Sequence, residues 1–221
     1  MKKYKDELIR SMKYLSRDKR TIFLGQSVKY SGNAIFNTLR DIDDRKKIEL
    51  PVFEDVQMGL STGLALQGFI PITCYPRFDF LILAMNQLVN HLDKIRHMSF
   101  NEFKPRVIIR TSIGSKKPLD GGVQHTQNYT KMFKDILTEI EVINLVNPNQ
   151  IFNEYWHRPR NILSIFCWIR KSWMPSRYFS IHFSHLNILY FFPSNELINF
   201  ELFLVNSFLA NIISVLDLLF I

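Results

Sequence analysis

The sequence is poor in cysteine, with only Cys74 and Cys167 among 221 residues. Two cysteines are too few for the disulfide scaffold of a small secreted protein. The N-terminal segment carries charges where a signal peptide would have its apolar stretch. We therefore expect a reducing, cytoplasmic environment. With 47% hydrophobic and 22% charged residues, the composition also excludes disorder over the chain as a whole.

Glycine is missing from the last third of the chain. All eight glycines lie before residue 150, and the last 71 residues contain none, although an average chain would have about five there. The same stretch holds all three tryptophans and ten of the nineteen phenylalanines. The chain therefore consists of two parts with different compositions.

The formal net charge of +8 is concentrated at the N-terminus. Residues 1–20 carry +5, residues 21–150 carry +2 and residues 151–221 carry +1. Nucleic-acid binding usually needs basic residues interleaved with stacking aromatics, or a recognisable module, and the sequence shows neither. We do not expect a nucleic-acid partner.

The first 150 residues alternate between strand and helix patterns. Apolar spacing predicts helices over residues 4–17, 54–67, 78–98 and 127–137, and strands over residues 21–25, 48–52, 70–75, 106–110 and 141–146. Such alternation predicts an α/β fold with a parallel sheet and helices on both faces, where ligands sit beyond the carboxyl ends of the strands. We therefore expect a ligand-binding site in the loops after Val52, Tyr75 and Arg110.

Those loops carry motifs that occur together in one known family. In order, they are Pro-Val-Phe-Glu at 51–54, Gly-Phe-Ile-Pro-Ile at 68–72, Phe-Asp-Phe at 78–80, Ala-Met-Asn-Gln-Leu-Val-Asn at 84–90 and Gly-Val-Gln-His-Thr-Gln at 122–127. Together they resemble the β subunit of the thiamine-diphosphate-dependent first component of 2-oxo acid dehydrogenase complexes, such as pyruvate dehydrogenase. The segment is similar to the pyrimidine-binding domain of the transketolase superfamily. The resemblance covers roughly residues 4 to 155, so we predict a domain over residues 1–155 and a non-family tail over residues 156–221.

The resemblance implies roles for four residues. Thiamine diphosphate forms its reactive carbanion with its own aminopyrimidine as base, once a carboxyl group protonates or hydrogen-bonds the far ring nitrogen. Glu54 matches that catalytic carboxyl group, and we expect it in a mostly apolar pocket where it shares a proton. Phe80 would lie against the aminopyrimidine face, and Gln87 would contribute to cofactor binding. His125 matches the histidine that handles protons on the substrate carbonyl or the acyl intermediate.

The same residues have simpler interpretations without the family. Glu54 would be a first-turn acid that stabilises its helix, Phe80 a core residue and His125 a solvated histidine. The sequence also departs from the family after the first strand, where the usual Gly-Glu-Asp is Gly25-Gln26-Ser27. Two carboxylates that normally order the local loops are therefore missing.

The chain contains no Gly-Asp-Gly segment, which in the family helps to hold magnesium and the diphosphate. The resemblance therefore implies a separate α-type subunit that holds the metal, a shared site, and an α2β2-like heterotetramer. The acyl group would pass onward to a lipoyl acyltransferase or another acceptor, and the chain alone should be inactive. The alternatives are a catalytically inactive truncated remnant that only binds a partner chain, and a membrane-associated interaction module.

The tail from about Trp156 has neither strand and helix alternation nor turn glycines, so we expect it to be irregular or helical and apolar. We expect it to be an out-of-frame translation that truncates the family domain. The rival interpretation is a genuine tail, because residues 202–216 run fifteen residues without a charge, short of the roughly twenty that span a bilayer. Such a segment is compatible with an amphipathic helix on a partner or membrane surface. His182 and His185 with Cys167 lack the further ligands of a metal site, so none is predicted.

Overall fold

The structure is a computed structural model of the chain and describes residues 3–31, 33–116, 120–156 and 162–167. Within them, six strands form one sheet in which every neighbouring pair runs parallel. The strands are β1 (Thr21–Gly25), β2 (Lys47–Glu49), β3 (Ile70–Tyr75), β4 (Ile108–Ile113), β5 (Glu141–Leu145) and β6 (Ile162–Cys167). Their order across the sheet is β2-β1-β3-β4-β6-β5. The predicted α/β class with a parallel sheet is confirmed.

Helices cover both faces of this sheet. They are α1 (Tyr4–Leu15), α2 (Ala34–Leu39), α3 (Glu54–Leu66), α4 (Phe78–Leu81), α5 (Ile95–Met98), α6 (Thr130–Ile136) and α7 (Pro148–Trp156). The sequence patterns predict the bounds of α1, α3, β1, β3 and β5 to within two residues of the observed ones. Across the described ranges, no helix combines the length and the apolar character needed to cross a membrane.

Each face of the sheet buries its own apolar cluster. Helices α1, α2 and α7 contribute to one cluster together with β1 and β3, including Leu8, Met12, Leu39, Phe23, Ile72 and Ile151. Helices α3, α4 and α6 contribute to the other, including Met58, Phe78, Leu81, Leu88, Ile109 and Phe133. Each fully buried side chain of this size stabilises the fold by about 1.5–3 kcal/mol. The sheet is therefore fixed from both sides, and the loops at its edges carry the polar side chains.

The segment predicted as one helix over residues 78–98 is helical but irregular. A 3-10 turn at Ile82–Ala84 and a π-helical stretch at Asn86–Leu92 separate α4 from α5. The π geometry is visible where the Asp93 N–H donates to the Leu88 carbonyl, five residues back, at 2.9 Å. A regular helix would carry Asp93 on the polar face that the sequence pattern indicates. The extra residue in the π-helical turn instead brings the Asp93 side chain into the interior, where this side chain is fully buried.

Two strand boundaries differ from the sequence predictions. Strand β2 ends at Glu49 instead of Val52, because Pro51 has no N–H to donate to a ladder. Strand β4 lies at Ile108–Ile113 instead of 106–110. Its polar residues Thr111 and Ser112 are buried, and the Ser112 hydroxyl donates to the Pro76 carbonyl at 2.5 Å. The loop after β4 therefore begins three residues later than predicted.

One part of the predicted tail is in the sheet. Strand β6 lies between β4 and β5 and pairs parallel with both, so residues 162–167 of the expected tail form a strand in the structure. An unbroken, mostly apolar run of this length is typical of a strand covered on both faces, and the lack of nearby glycine obscured it. The boundary at residue 155 stays a prediction. The other tail predictions, including residues 202–216 and His182 and His185, lie outside the described residues.

The buried Asp93 carboxylate joins the π-helical stretch to the turn that leads into β5. It accepts hydrogen bonds from the backbone N–H groups of residues 138–140 at 2.8–3.1 Å and from the Thr138 hydroxyl at 2.9 Å. The Lys94 ammonium lies 2.8 Å away. Burial by itself raises the pKa of Asp93, but Lys94 and these donors outweigh burial and hold the pKa below its usual range.

Replacing Asp93 by Asn should lower the free energy of unfolding by about 1–3 kcal/mol near neutral pH, because an amide N–H₂ would face backbone donors. Since the folded-state pKa is lowered, the stabilisation is complete above the ordinary aspartate pKa of about 3.9 and is lost as pH falls through the folded-state value. Urea denaturation over a pH series should show the wild type and Asp93→Asn converging below about pH 4.

Asp135→Asn is the matched control, because the Asp135 carboxylate is solvent-exposed on α6. It should change the free energy of unfolding by less than about 0.5 kcal/mol. Equal effects of the two substitutions, or a gap for Asp93→Asn that does not change with pH, would contradict this role for Asp93.

Candidate functional site

The sequence-predicted site residues lie in loops at one edge of the sheet. Gln26 directly follows β1, Glu54 opens α3 after β2, Phe80 lies in α4 after β3, and His125 lies in the loop after β4. Carboxyl ends of parallel strands meet at the same edge. Because β2, β1, β3 and β4 are consecutive neighbours in the sheet, these four loops are also neighbours.

Glu54 occupies the first turn of α3 and is only 4% exposed. Its Oε1 accepts a hydrogen bond from Nε2 of Gln26 at 3.0 Å, a bond between side chains that are both buried. The helix N-terminus adds a favourable field for a carboxylate. The side chain is therefore withdrawn from solvent at a position where a first-turn acid is commonly exposed.

Tyr75, the last residue of β3, supports the backbone at the same point. Its hydroxyl donates to the Glu54 carbonyl at 3.2 Å. Burial raises the pKa of Tyr75 well above its usual range, and the nearby Glu54 carboxylate adds to the effect. The hydroxyl therefore stays protonated and remains a donor at any physiological pH.

The loop after β1 is ordered by a carboxylate from β2. The two carboxylate oxygens of Glu49 accept from the backbone N–H groups of Ser27, Val28 and Lys29 at 2.5, 2.8 and 2.8 Å. Gln26 and Ser27 bring no carboxylate of their own to this loop. Glu49 supplies a carboxylate from the neighbouring strand, a contact that no local sequence motif indicates.

Gln87 lies in the π-helical stretch, and its amide has protein partners at both ends. Its Nε2 donates to the Asp55 carboxylate at 3.4 Å, and its Oε1 lies 2.7 Å from Nδ1 of His91. The Asp55 contact connects the π-helical stretch to the first turn of α3, whereas the His91 contact lies within the stretch. A role for Gln87 in cofactor binding stays a prediction, and the observed contacts give the side chain a helix-joining role beside Glu54.

Phe80 and His125 are brought together by the fold. Their ring centroids are 5.3 Å apart and the rings are nearly perpendicular, at 88°. Such an edge-to-face arrangement is favourable for aromatic rings. Within the described parts of the chain, no hydrogen bond or ring contact joins this pair to Glu54. The structure therefore presents two clusters at one edge, Glu54 with Gln26 and Phe80 with His125.

The position of the His125 loop is fixed by close packing and by one carboxylate. A Cβ at Gly114 would overlap the His125 carbonyl oxygen, and a Cβ at Gly121 would lie 2.9 Å from the His125 Cβ. Asp79, the neighbour of Phe80, accepts from the Gln127 N–H at 3.3 Å through Oδ1. Asp79 belongs to the Phe-Asp-Phe motif, from which no role for its side chain was predicted.

The chemistry available at this edge is that of one buried carboxylate and one imidazole beside an aromatic ring. Within the described residues, no group of three or more His, Cys, Asp or Glu side chains is arranged to hold a metal ion. The Glu54 carboxyl group has one oxygen bound by Gln26, and its Oε2 has no hydrogen-bond partner among the described residues. Such a group fits a ligand that presents a ring nitrogen or an N–H, as an aminopyrimidine does.

Comparison with known proteins gives partial matches. No protein-family model matches the chain. It is 28% identical to the pyruvate dehydrogenase E1 component subunit beta of Gracilaria tenuistipitata var. liui over 126 residues, which is 55% of this chain and 38% of that protein. It is 27% identical to the 2-oxoisovalerate dehydrogenase subunit beta of Bacillus subtilis over 122 residues, 54% of this chain and 37% of that protein.

A solved structure titled "Split gene transketolase, inactive beta4 tetramer" matches with a TM-score of 0.49 and 15% identity, covering 80% of this chain and 54% of that chain. The chain spans less than two-fifths of the length of the curated relatives just described. The resemblance to E1 β subunits that the sequence motifs predict is confirmed by these relatives.

Replacing Gly114 by Ala should displace the His125 loop, because a Cβ there would overlap a backbone oxygen. We expect a loss of about 1–3 kcal/mol in the free energy of unfolding and shifted ring signals of His125 in NMR spectra. Gly63→Ala is the control, since a Cβ on this α3 residue meets nothing within 4 Å. It should stabilise the helix by about 0.5–1 kcal/mol and leave the His125 signals unchanged. Unchanged His125 signals in Gly114→Ala would show that this packing does not position the loop.

Proposed function

We propose that the chain is a β-type subunit of a thiamine-diphosphate-dependent 2-oxo acid dehydrogenase or decarboxylase, supplying the aminopyrimidine-binding half of a shared active site. The observation that carries the proposal is the buried Glu54 carboxyl group at the carboxyl edge of a parallel sheet. The position of Glu54 in the chain matches the glutamate that the family uses toward the cofactor. Similarity to E1 β subunits supports the same reading.

In this proposal, thiamine diphosphate would supply the carbanion chemistry for decarboxylation of a 2-oxo acid, and Glu54 would hold its aminopyrimidine ring. Glu54 contributes a carboxyl group that hydrogen-bonds or protonates the aminopyrimidine ring nitrogen. Its burial excludes water, which would otherwise compete for that hydrogen bond and weaken it. Gln26 holds one carboxylate oxygen, so that the other is available to the ring.

Phe80 and His125 act as a pair in the proposed site. The half-buried Phe80 ring provides an apolar wall, and its contact with His125 fixes the plane of the imidazole. Imidazole is the side chain best suited to proton transfer near neutral pH. We assign His125 to proton transfer at the substrate carbonyl or the acyl group, before that group passes to a lipoyl or other acceptor.

The second half of the site would come from an α-type chain. Neither a Gly-Asp-Gly segment in the sequence nor a metal-binding cluster among the described residues is found here. We therefore assign magnesium and the diphosphate to the partner, in an α2β2-like assembly.

The outer face of α3 offers a docking surface beside Glu54. Phe53, Val56 and Leu60 follow each other at three and four residues, and their side chains are 58%, 50% and 38% exposed. This spacing puts Val56 and Leu60 on one side of the helix, and Phe53 directly precedes its first residue. Contiguous exposed apolar side chains next to an incomplete site are typical of a subunit interface.

Glu54→Gln should abolish thiamine-dependent 2-oxo acid turnover when the chain is co-expressed with a neighbouring α-type chain, because an amide cannot transfer a proton to the ring. We expect a fall of at least about a hundredfold in kcat, within the range for loss of an acid–base group. Association with the α-type chain should be unchanged. Glu102→Gln, an exposed site on the opposite edge of the sheet, is the control and should keep full activity.

Tight association of the wild-type chains without turnover would instead favour the inactive remnant. Turnover that survives Glu54→Gln would contradict the assignment of Glu54.

Val56→Asp should weaken association with the α-type chain at least about tenfold, since a charge would be buried in the interface. The chain itself should stay folded, because an acid near the start of a helix is favourable and the side chain is half exposed. Phe100→Asp is the control, an exposed apolar residue on the amino-terminal edge of the sheet. Sedimentation of the mixed chains measures both. Equal binding by Val56→Asp and wild type would exclude this face as the interface.

A further inference from the structure

Gln26 forms the one hydrogen bond that the described residues make to the Glu54 carboxyl group. The amide Nε2 lies 3.0 Å from Oε1, and Gln26 is itself 8% exposed. The resemblance predicts a glutamate at this position, and this chain has a neutral amide there. The buried amide donates to one oxygen of the buried carboxylate and so affects which oxygen is available to a ligand.

The backbone on both sides of Gln26 is held in place. Gly25 has φ of +138°, and a Cβ there would overlap the Cys74 carbonyl oxygen, so only glycine fits. After Gln26, the Glu49 carboxylate binds the next three backbone N–H groups. Ser27 adopts the left-handed conformation with φ of 56° in this turn. The Gln26 side chain therefore projects from a fixed turn, and its direction toward Glu54 is preorganised.

The chemistry of the contact distinguishes the two carboxylate oxygens. Only the N–H₂ end of an amide can donate a hydrogen bond, so Gln26 binds Oε1 as the donor. The amide does not transfer a proton to the carboxylate. Oε2 has no hydrogen-bond partner among the described residues. A glutamate in place of Gln26 would put two carboxyl groups about 3 Å apart, and such a pair shares one proton because both cannot easily be charged.

We propose that Gln26 is a positioning residue that binds Oε1 of Glu54, turns Oε2 toward the aminopyrimidine, and places a neutral donor instead of a second carboxyl group against Oε1. The inference rests on the proposed function. It goes further by assigning one oxygen of Glu54 to the cofactor and by predicting how the site responds to a second carboxyl group.

The test measures thiamine diphosphate binding by calorimetry over a pH series, using the chain in complex with its α-type partner. Gln26→Leu should weaken binding at least about tenfold at every pH, since a buried hydrogen bond to a carboxylate is lost. Gln26→Glu should bind like wild type at low pH, where its protonated carboxyl group still donates to Oε1. Its affinity should fall relative to wild type as pH rises and the introduced carboxyl group loses the proton that it donates to Oε1.

Two controls separate this effect from misfolding. Binding of magnesium pyrophosphate, which lacks the pyrimidine, should be the same in all variants. Gln150→Leu, an exposed glutamine on α7, should bind thiamine diphosphate like wild type at every pH. If Gln26→Leu does not fold, the pH dependence of thiamine diphosphate binding by Gln26→Glu still tests the positioning role of Gln26.

Wild-type affinity in both Gln26 variants at every pH would overturn the positioning role and leave the proposed function intact. Parallel losses of pyrophosphate and thiamine diphosphate binding would also overturn it, as the sign of a general structural defect. A wild-type complex that binds no thiamine diphosphate would remove the proposed function and this inference with it.

Discussion

A carboxylate can be withdrawn from water only where donors compensate for the lost hydration, and at the candidate site that donor is the Gln26 amide. An unpaired buried charge costs several kcal/mol, so Glu54 would be expected at the surface without it. The 3.0 Å bond between Gln26 and Glu54, together with the N-terminus of α3, makes burial of the acid tolerable. The chemistry proposed for the site depends on this withdrawal from solvent.

The sheet determines where that bond can form. Strands β1 and β2 are parallel neighbours, so Gln26 and Glu54, which follow them, are delivered to the same edge. Glu49 at the end of β2 orders the turn after β1 through three backbone N–H groups. On the other side of β3, packing of Gly114 against the next loop sets the His125 ring beside Phe80. The edge therefore presents two supported clusters, and the exposed face of α3 continues from one of them.

Sequence patterns could predict the sheet because its strands are short apolar runs between turn signals. Strands β1 and β3 match their predicted ranges, and α3 begins at the predicted Glu54. The π-helical stretch at Asn86–Leu92 escaped prediction because its apolar stripe is also that of a regular helix. Strand β6 escaped because glycine, which punctuates the other loops, is missing around it. Element type follows from local pattern, whereas helix irregularity follows from tertiary contacts such as those of Asp93.

For the candidate site too, sequence patterns predicted one part and tertiary contacts determine the rest. Family motifs identified Glu54, Phe80 and His125 as residues of interest, and pattern alone gave each a simpler structural role. The contacts of Gln26 and Glu49 could not be predicted, since each joins residues twenty or more positions apart through side-chain geometry. Asp79 was missed for a similar reason, because its partner Gln127 is 48 residues away.

The most direct measurement is a structure of the chain in complex with its α-type partner and thiamine diphosphate. The account predicts the aminopyrimidine ring nitrogen within roughly 3.2 Å of Glu54 Oε2, with Oε1 still bound to Gln26 and the Phe80 ring against the pyrimidine face. A pyrimidine ring bound away from the carboxyl edge of the sheet, or a Glu54 side chain that faces solvent in the complex, would contradict it.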